Sequence, residues 1–366
     1  MSNVIALCAT DMWYLRNFRL KLIQVLQDEY DQVVLIAGYD GNEKFLSEIS
    51  KKVIVVNSNL DRKSTGIFNN LVLINKYRNI FNKYNPTRVI NFTIKPNVFS
   101  GFVCWLQGRE FINNVTGLGT AFLSSKLLQF VVLFMFKFIF PKAKYIVFQN
   151  SDDMDLISRY LQPSNFRLIE GSGIDPEFFI PIKEYNQREY DFVFIGRLIK
   201  DKGVREFLEA SEKILLEYPD LNINVVGDID LNNSSSLSEE EFLNYSNNTS
   251  IHMMGFSNFV KNILENTKCV VLPSYREGLS RVLLEAASME CFLIASNVPG
   301  CTQVLSNENG LLCVARDSDS LYEKMKEYIQ MNLDEQESYA KRGRVLVKNR
   351  FSVSSVNSNL IALLKS

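Results

Sequence analysis

Along almost all of the 366 residues, short runs of β-branched and aromatic residues alternate with stretches whose apolar positions recur at helical spacing. That alternation leaves few folds open. A run that is apolar throughout has both faces covered, which a strand achieves in a parallel sheet with helices above and below it. The chain is therefore predicted to be α/β. In the first half the expected strands are Val4–Ala9, Gln32–Ala37, Lys52–Val56, Arg88–Thr93, Phe111–Val115, Lys144–Gln149 and Arg167–Gly171, with helical spacing between them, as in Asn17–Gln27 and Ile67–Tyr84. A proline-bearing polar stretch, Pro176–Glu189, reads as a linker. The alternation then resumes with Asp191–Ile195, Asn222–Val226, Ile251–Met254, Cys269–Pro273 and Phe292–Ser296.

A chain of this length exceeds one ordinary core, so two doubly wound domains with a cleft between them are expected. Residues 1–180 form the first and 181–351 the second, with 352–366 joining the first. Charge divides along the same line. Lys and Arg outnumber Asp and Glu by 21 to 16 over residues 1–185 and are outnumbered 25 to 19 thereafter, so the halves are expected to meet different partners. The six cysteines are scattered without a C-x-x-C pair and read as free core thiols of a reducing compartment. The start, MSNVIALCATDMW, has no basic n-region and reads as a buried strand rather than a signal peptide, which predicts a cytoplasmic protein.

The most apolar stretch, Leu127–Phe140, is interrupted by Lys137 and is shorter than the roughly 20 residues of a bilayer span. Two readings stand: a core helix, or an in-plane helix on a membrane surface flanked by Lys126, Lys137, Lys142 and Lys144. The acidic stretch Asp228–Asn248 reads as a solvated loop with a helix opening at Ser238, where S-E-E-E fits a capping box.

The strongest chemical signal is CVVLP running into SYREGLSRVLLEAAS. A helix opening at Ser280 would direct backbone N–H groups around Gly278, Leu279 and Ser280 towards an anion. Glu277 and Glu285 bracket that start, about 12 Å apart along a helix, and could grip two ends of an elongated ligand. Such carboxylates are ordinarily solvated, but here a buried strand and a Glu-Gly step precede them. The second signal is DFVFIGRLIKDKG, which sets Arg197 and Lys202, with Gly196, after a buried strand. Two cations at the carboxyl end of a parallel strand can neutralise a diphosphate leaving group.

The G-R-L-x-x-x-K-G step, the E-G-L-x-x-x-x-x-E pair and the following VPGC resemble glycosyltransferase family 4, of the GT-B fold. IKPNVFSG (Ile94–Gly101), NNVTGLGTAF (Asn113–Phe122) and GSGID (Gly171–Asp175) extend the resemblance to bacterial transferases of lipid-linked glycans, similar to those acting on undecaprenyl-diphosphate sugars. The resemblance implies a retaining, metal-independent transfer without cofactor, from a nucleotide-sugar, expected to be a UDP-sugar, to a lipid-linked glycan acceptor at the inner face of the plasma membrane. Capsule, O-antigen or related surface-polysaccharide synthesis is the implied setting. It also implies that Arg197 and Lys202 clamp the donor diphosphate, Glu285 contacts ribose and Glu277 the transferred sugar.

Many relatives carry a histidine after the fifth strand, where this chain reads Asn-Val-Thr-Gly-Leu-Gly. Thr116, Gly117 and Gly119 are the candidates there, while the lone His252 reads as structural. On the acceptor side, Tyr14, Arg16 and Arg19 in the first βα turn could meet an acceptor diphosphate, and Lys95 and Asn97 follow the fourth strand. Competing readings are a GT-B sugar-nucleotide epimerase and a non-catalytic partner subunit. Nucleic-acid binding has little basis at a pI of about 6.1 without a basic stripe, and no P-loop or zinc-ligand cluster is present.

Overall fold

The computed structural model describes residues 3–60, 67–118, 126–161, 164–231, 233, 235–248 and 250–366. They form two compact units, Met1–Gly173 with Val353–Ser366, and Ile174–Ser352.

The first unit runs β1 (Val4–Asp11), α1 (Met12–Glu29), β2 (Gln32–Gly38), α2 (Glu43–Ser47), β3 (Val53–Asn57), α3 (Ile67–Tyr84), β4 (Arg88–Phe92), α4 (Ile94–Leu106), β5 (Glu110–Val115), α5 (Lys126–Ile139), β6 (Tyr145–Phe148), α6 (Ser151–Ser158) and β7 (Phe166–Leu168). Its seven strands lie in the order β3-β2-β1-β4-β5-β6-β7, parallel throughout. The apolar runs are buried on both faces as a parallel sheet requires. Val4, Ala6 and Cys8 of β1 face one layer, and Ile5, Leu7 and Ala9 the other.

The second unit runs β8 (Tyr190–Ile195), α7 (Val204–Glu217), β9 (Ile223–Val226), α8 (Glu239–Asn248), β10 (Ile251–Gly255), α9 (Val260–Glu265), β11 (Thr267–Leu272), α10 (Arg281–Ser288), β12 (Phe292–Ser296), β13 (Leu311–Cys313), α11 (Ser318–Gln330) and α12 (Leu333–Leu346). Its six parallel strands lie in the order β10-β9-β8-β11-β12-β13. After residue 352 the chain returns to the first unit as α13 (Val353–Lys365), which packs Val356, Leu360 and Leu364 beside Leu22 and Leu26 of α1.

The expected strands are all present, most with one or both ends displaced by a few residues, in either direction. One strand escaped the sequence reading. At three residues, β13 is too short for periodicity to register. The linker also reads differently in three dimensions. The stretch from Ile174 onwards packs onto the second unit, ahead of the expected boundary at 180, because Ile174, Phe179 and Tyr185 anchor it while Phe178, Ile180 and Ile182 stay exposed. Phe179 and Tyr185 are buried, the Tyr185 hydroxyl meets that of Tyr328 at 2.8 Å, and Ser288 Oγ donates to the Phe179 carbonyl. The capping box at the start of α8 forms in both directions: Ser238 N–H donates to Glu241 Oε2 at 2.7 Å, and Glu241 N–H to Ser238 Oγ at 3.0 Å. All six cysteines are buried and free.

Candidate active site

In each sheet the strand order reverses at one place, and the crevice outside the carboxyl ends of the strands there is where open α/β sheets take ligands. In the second unit that place lies between β8 and β11, which pair directly. The loops that leave these two strands carry all of the donor-side residues singled out from sequence except Glu285, which lies in the helix that follows.

Beyond β8, Lys200–Lys202 form a 3-10 turn closed by Gly203 at φ +71°. A Cβ at Gly203 would stand 2.0 Å from the Pro273 carbonyl oxygen, so only glycine lets this turn lie against the end of β11. The two loops are then tied together. Tyr275 N–H donates to the Asp201 carbonyl at 2.9 Å, and Lys202 Nζ donates to Glu277 Oε1 at 2.5 Å. Ser274 Oγ donates to the same carboxylate oxygen at 2.7 Å. The Glu277 side chain is 10% exposed and that of Lys202 25%, so the pair is sheltered yet reachable. Gly300, at φ +73°, closes the far side, where a Cβ would meet the Gly278 carbonyl at 2.2 Å.

Ser280 caps α10 as expected, its side chain accepting from Leu283 N–H, with Gly278 and Leu279 just ahead of the cap. Glu285 lies one turn into α10, only 8% exposed, and accepts from Arg281 Nε at 2.7 Å. Burial pushes its carboxyl above the usual carboxylate range, and the Arg281 charge only partly opposes this. Gly196 is half-buried at the exit of β8 and donates its N–H to the Val226 carbonyl. Arg197, the next residue, is exposed, and among the described residues no hydrogen bond or ion pair engages its guanidinium. Of the two cations, one is therefore neutralised within the protein by Glu277 and the other is not.

In the first unit the reversal falls between β1 and β4, where the Thr10 and Thr93 hydroxyls meet at 2.7 Å. Here the structure corrects several expectations. The start of α1 is already capped by carboxylates: Trp13 N–H donates to Asp40 Oδ2 at 2.6 Å and Tyr14 N–H to Asp11 Oδ1 at 2.8 Å. Arg19 is not a free cation of this turn. It is 1% exposed, packs 4.5 Å over the Phe92 ring and donates twice to the Tyr14 hydroxyl. Its stem and guanidinium fill the layer between α1 and the sheet. Tyr14 is itself buried, and desolvation raises its phenol pKa against the pull of Arg19. Arg16 is exposed but already engaged, bonding Asn42 at 2.8 Å and lying 4.3 Å over Phe45.

Asn97 is fully buried. Its side-chain Nδ2 donates to the Asn114 backbone carbonyl and its backbone carbonyl accepts from Asn113 Nδ2, which fastens α4 to β5. Lys95 is half-buried in the first turn of α4, because the Lys-Pro step sits inside the helix start, where proline is tolerated, rather than in a separate turn. Thr116 and Gly117 follow β5, half-buried, and Gly119 lies outside the described residues. Asp153, which sequence reasoning passed over, braces that segment: its buried carboxylate accepts from Leu118 N–H at 3.2 Å and from Asn150 Nδ2 at 3.0 Å. The N-S-D-D run at the start of α6 was the available signal, since Asn150 is its N-cap and accepts from Asp153 N–H. His252 is exposed on the edge strand β10. Among the described residues no three His, Cys, Asp or Glu side chains gather where they could hold a metal ion.

Helix α5 is two-faced. Val132, Phe136 and Ile139 are buried, whereas Phe130, Phe134 and Phe138 form an exposed aromatic stripe with successive ring centroids 6.4 and 4.9 Å apart. Lys126 and Lys137 are exposed on the same helix, while Lys144 is paired with Glu110 at 3.2 Å. Among the described residues no helix is long and apolar enough to cross a membrane.

Residues 175–345 match the family described as glycosyl transferases group 1. A curated relative from Campylobacter jejuni, N,N'-diacetylbacillosaminyl-diphospho-undecaprenol alpha-1,3-N-acetylgalactosaminyltransferase, is 26% identical over 343 residues, spanning 87% of this chain and 88% of the relative. An Escherichia coli relative, UDP-Gal:alpha-D-GlcNAc-diphosphoundecaprenol alpha-1,3-galactosyltransferase, is 29% identical over 55% of this chain and 56% of its own length. Among solved structures, HepE of Anabaena in complex with UDP and glucose superposes with a TM-score of 0.80 at 16% identity over the whole of both chains, which speaks to the fold. The match makes the second unit a glycosyl transferases group 1 domain, and with the two doubly wound sheets it gives the chain the GT-B fold of a glycosyltransferase, resembling bacterial transferases of lipid-linked glycans.

Proposed function

We propose that the chain is a retaining, metal-independent glycosyltransferase that moves a hexose or N-acetylhexosamine from a UDP-sugar onto a lipid-linked sugar in bacterial surface-polysaccharide or glycan synthesis. The observation that carries this reading is the Lys202–Glu277 pair beside the unengaged Arg197, at the strand-order reversal of the second unit. Cleaving a sugar from a diphosphate leaves positive charge on the sugar ring and negative charge on the departing oxygen. Groups placed in advance where those charges develop lower the barrier most. Arg197 has its full donor set free for the diphosphate. Lys202 can share its ammonium between that diphosphate and Glu277, and Glu277 is then the carboxylate nearest the sugar. Glu285 serves the ribose hydroxyls, with Gly196 and Gly278–Ser280 as the close-approaching backbone.

The UDP donor is supported by the donor named for the Escherichia coli relative, and the lipid-linked acceptor by the acceptors named for both relatives. On the acceptor side the reading retains Lys95, Thr116 and Gly117, since Arg19 and Asn97 are spent on packing. The aromatic stripe of α5, with Lys126 and Lys137, fits an in-plane contact with an anionic membrane, which would bring the enzyme peripherally to its acceptor.

The test is a thermal-shift series with UDP, GDP and dTDP, followed by transfer from the matching donor to a lipid-diphosphate sugar, with the anomeric configuration of the product read by NMR. UDP should raise the melting temperature most. A preference for GDP or dTDP would replace the donor assignment, and an inverted anomeric centre would overturn retention.

A further inference from the structure

Tyr275 stands two residues before Glu277 in the loop that leaves β11, half-buried, and three separate parts of the second unit hold it. Its N–H donates to the Asp201 carbonyl at 2.9 Å, beside Lys202. Its phenol donates to Glu206 Oε1 in the first turn of α7. Its ring lies under the Arg316 guanidinium, 4.8 Å from the ring centroid, in the segment between β13 and α11.

Two of these partners carry a cost that Tyr275 accounts for. Glu206 is half-buried, and its Oε2 is buried with no hydrogen-bond partner among the described residues, so the phenol is the donor this carboxylate has there. A carboxylate oxygen taken out of water without a partner is unfavourable. The neighbouring arginine does not relieve it: Arg205 is bidentate to Glu241, its Nε and Nη2 each 2.9 Å from a carboxylate oxygen. Arg316 is exposed and holds a left-handed backbone, φ +64°, which glycine would adopt without strain. What arginine adds at that position is a cation over an aromatic ring, and backbone strain kept beside a candidate site is a pointer to function. Burial, reinforced by the Glu206 carboxylate, pushes the phenol pKa up to about 12. At neutral pH the phenol therefore keeps its proton and its bond, and acts as an anchor rather than as a base.

We propose that Tyr275 is a positioning residue for sugar transfer: anchored to Glu206 and covered by Arg316, it fixes the loop from Ser274 to Glu277 so that Lys202 and Ser274 both reach Glu277 Oε1. The inference rests on the reading of Lys202 and Glu277 as the pair that serves the donor. A loop displaced by about 1 Å misplaces that carboxylate, and such a displacement costs turnover more than it costs binding.

Two measurements on the full chain test it. The first needs no substrate: the Lys202→Ala and Glu277→Ala double-mutant cycle is followed by urea unfolding, once in the parent and once with Tyr275→Phe. The coupling within the pair should fall by about half or more when Tyr275 is replaced. A tyrosine that only adds stability leaves the coupling unchanged, and that result overturns the inference. The second is steady-state transfer from UDP-galactose and from UDP-N-acetylgalactosamine to a lipid-diphosphate sugar, with UDP titrated by calorimetry. Tyr275→Phe and Glu206→Ala should each lower kcat by about tenfold while UDP affinity stays within about twofold. Glu206→Gln, which still accepts from the phenol, should keep most of the parental turnover, and Arg316→Gly should lower kcat without lowering the melting temperature. Parental kcat in Tyr275→Phe, or equal losses in Glu206→Gln and Glu206→Ala, overturns the inference. A parent that neither binds UDP nor uses either sugar nucleotide overturns the donor reading alone, and the unfolding cycle then decides the role of Tyr275.

Discussion

Lys202 Nζ stands 2.5 Å from Glu277 Oε1, joining two residues 75 positions apart across the carboxyl ends of β8 and β11. The contact makes the two loops one electrostatic unit, which on the proposed reading joins the diphosphate side of the site to the sugar side: displacing either partner strands the other in a largely sheltered place.

Lys202→Ala and Glu277→Ala should each lower kcat by about 10²–10³-fold, the usual loss when one preorganised charge-stabilising group is removed. The double variant should be far less than additively impaired, because the two act as a pair. Steady-state kinetics on the four proteins of this cycle measures the coupling. Strict additivity would mean that the pair seen here is incidental to turnover.

Glu285 gives a pH signature whose sign can be worked out in advance. Its folded-state pKa is raised, so the folded chain binds its proton more tightly than the unfolded chain does. The associated stability is fully present below the unfolded carboxyl value of about 4.3 and is lost as pH rises through the raised folded value. Glu285→Gln, which mimics the protonated form, should therefore match the parent in melting temperature at low pH and exceed it at neutral pH, while binding UDP more weakly. Thermal unfolding across pH 4 to 8, with a UDP titration, checks both halves. A variant less stable than the parent at neutral pH would contradict the assigned sign.

Gly203→Ala should destabilise the chain by about 1–3 kcal/mol, from the strained backbone at φ +71° alone, with more from the Pro273 carbonyl in the path of the new methyl. Because this turn presents Lys202, UDP affinity should fall along with the unfolding midpoint. Denaturant melts and UDP titration on the same preparation test the link. Lost stability with intact UDP affinity would separate the turn from the site.

The stripe of α5 predicts binding to anionic vesicles that depends on both charge and apolar surface. Lys137→Glu should weaken it by about fivefold or more at low salt, given about 1 kcal/mol per basic residue near such a surface, and Phe134→Ser should weaken it at any salt. Co-sedimentation with anionic and with neutral vesicles reads this directly. Equal sedimentation of the parent and both variants would rule the stripe out as a membrane contact.

Much was legible from residue order alone because it depends on near neighbours. Continuous apolar runs announce strands covered on both faces, Ser280 and Ser238 announce helix starts through their own following turns, and the length of the chain requires two cores. Where these signals were short or diluted they failed. The three residues of β13 carry no period, and before Tyr185 the buried anchor Phe179 sits among exposed apolar neighbours, Phe178, Ile180 and Ile182, that order alone does not set apart.

What the tertiary structure alone decided is which charges meet. Arg19 and Arg197 both read from the sequence as cations available to a diphosphate, yet Arg19 ends beneath Tyr14 in the core and Arg197 stays exposed and unengaged. Nor does it tell that Glu277 reaches across to Lys202 while Glu285 pairs within its own helix to Arg281. A charge is a local property of a residue, but its partner and its exposure to water are set by strand order and by the close packing of glycine-bearing turns. The function of such groups follows from those long-range contacts, which residue order encodes only through the fold as a whole.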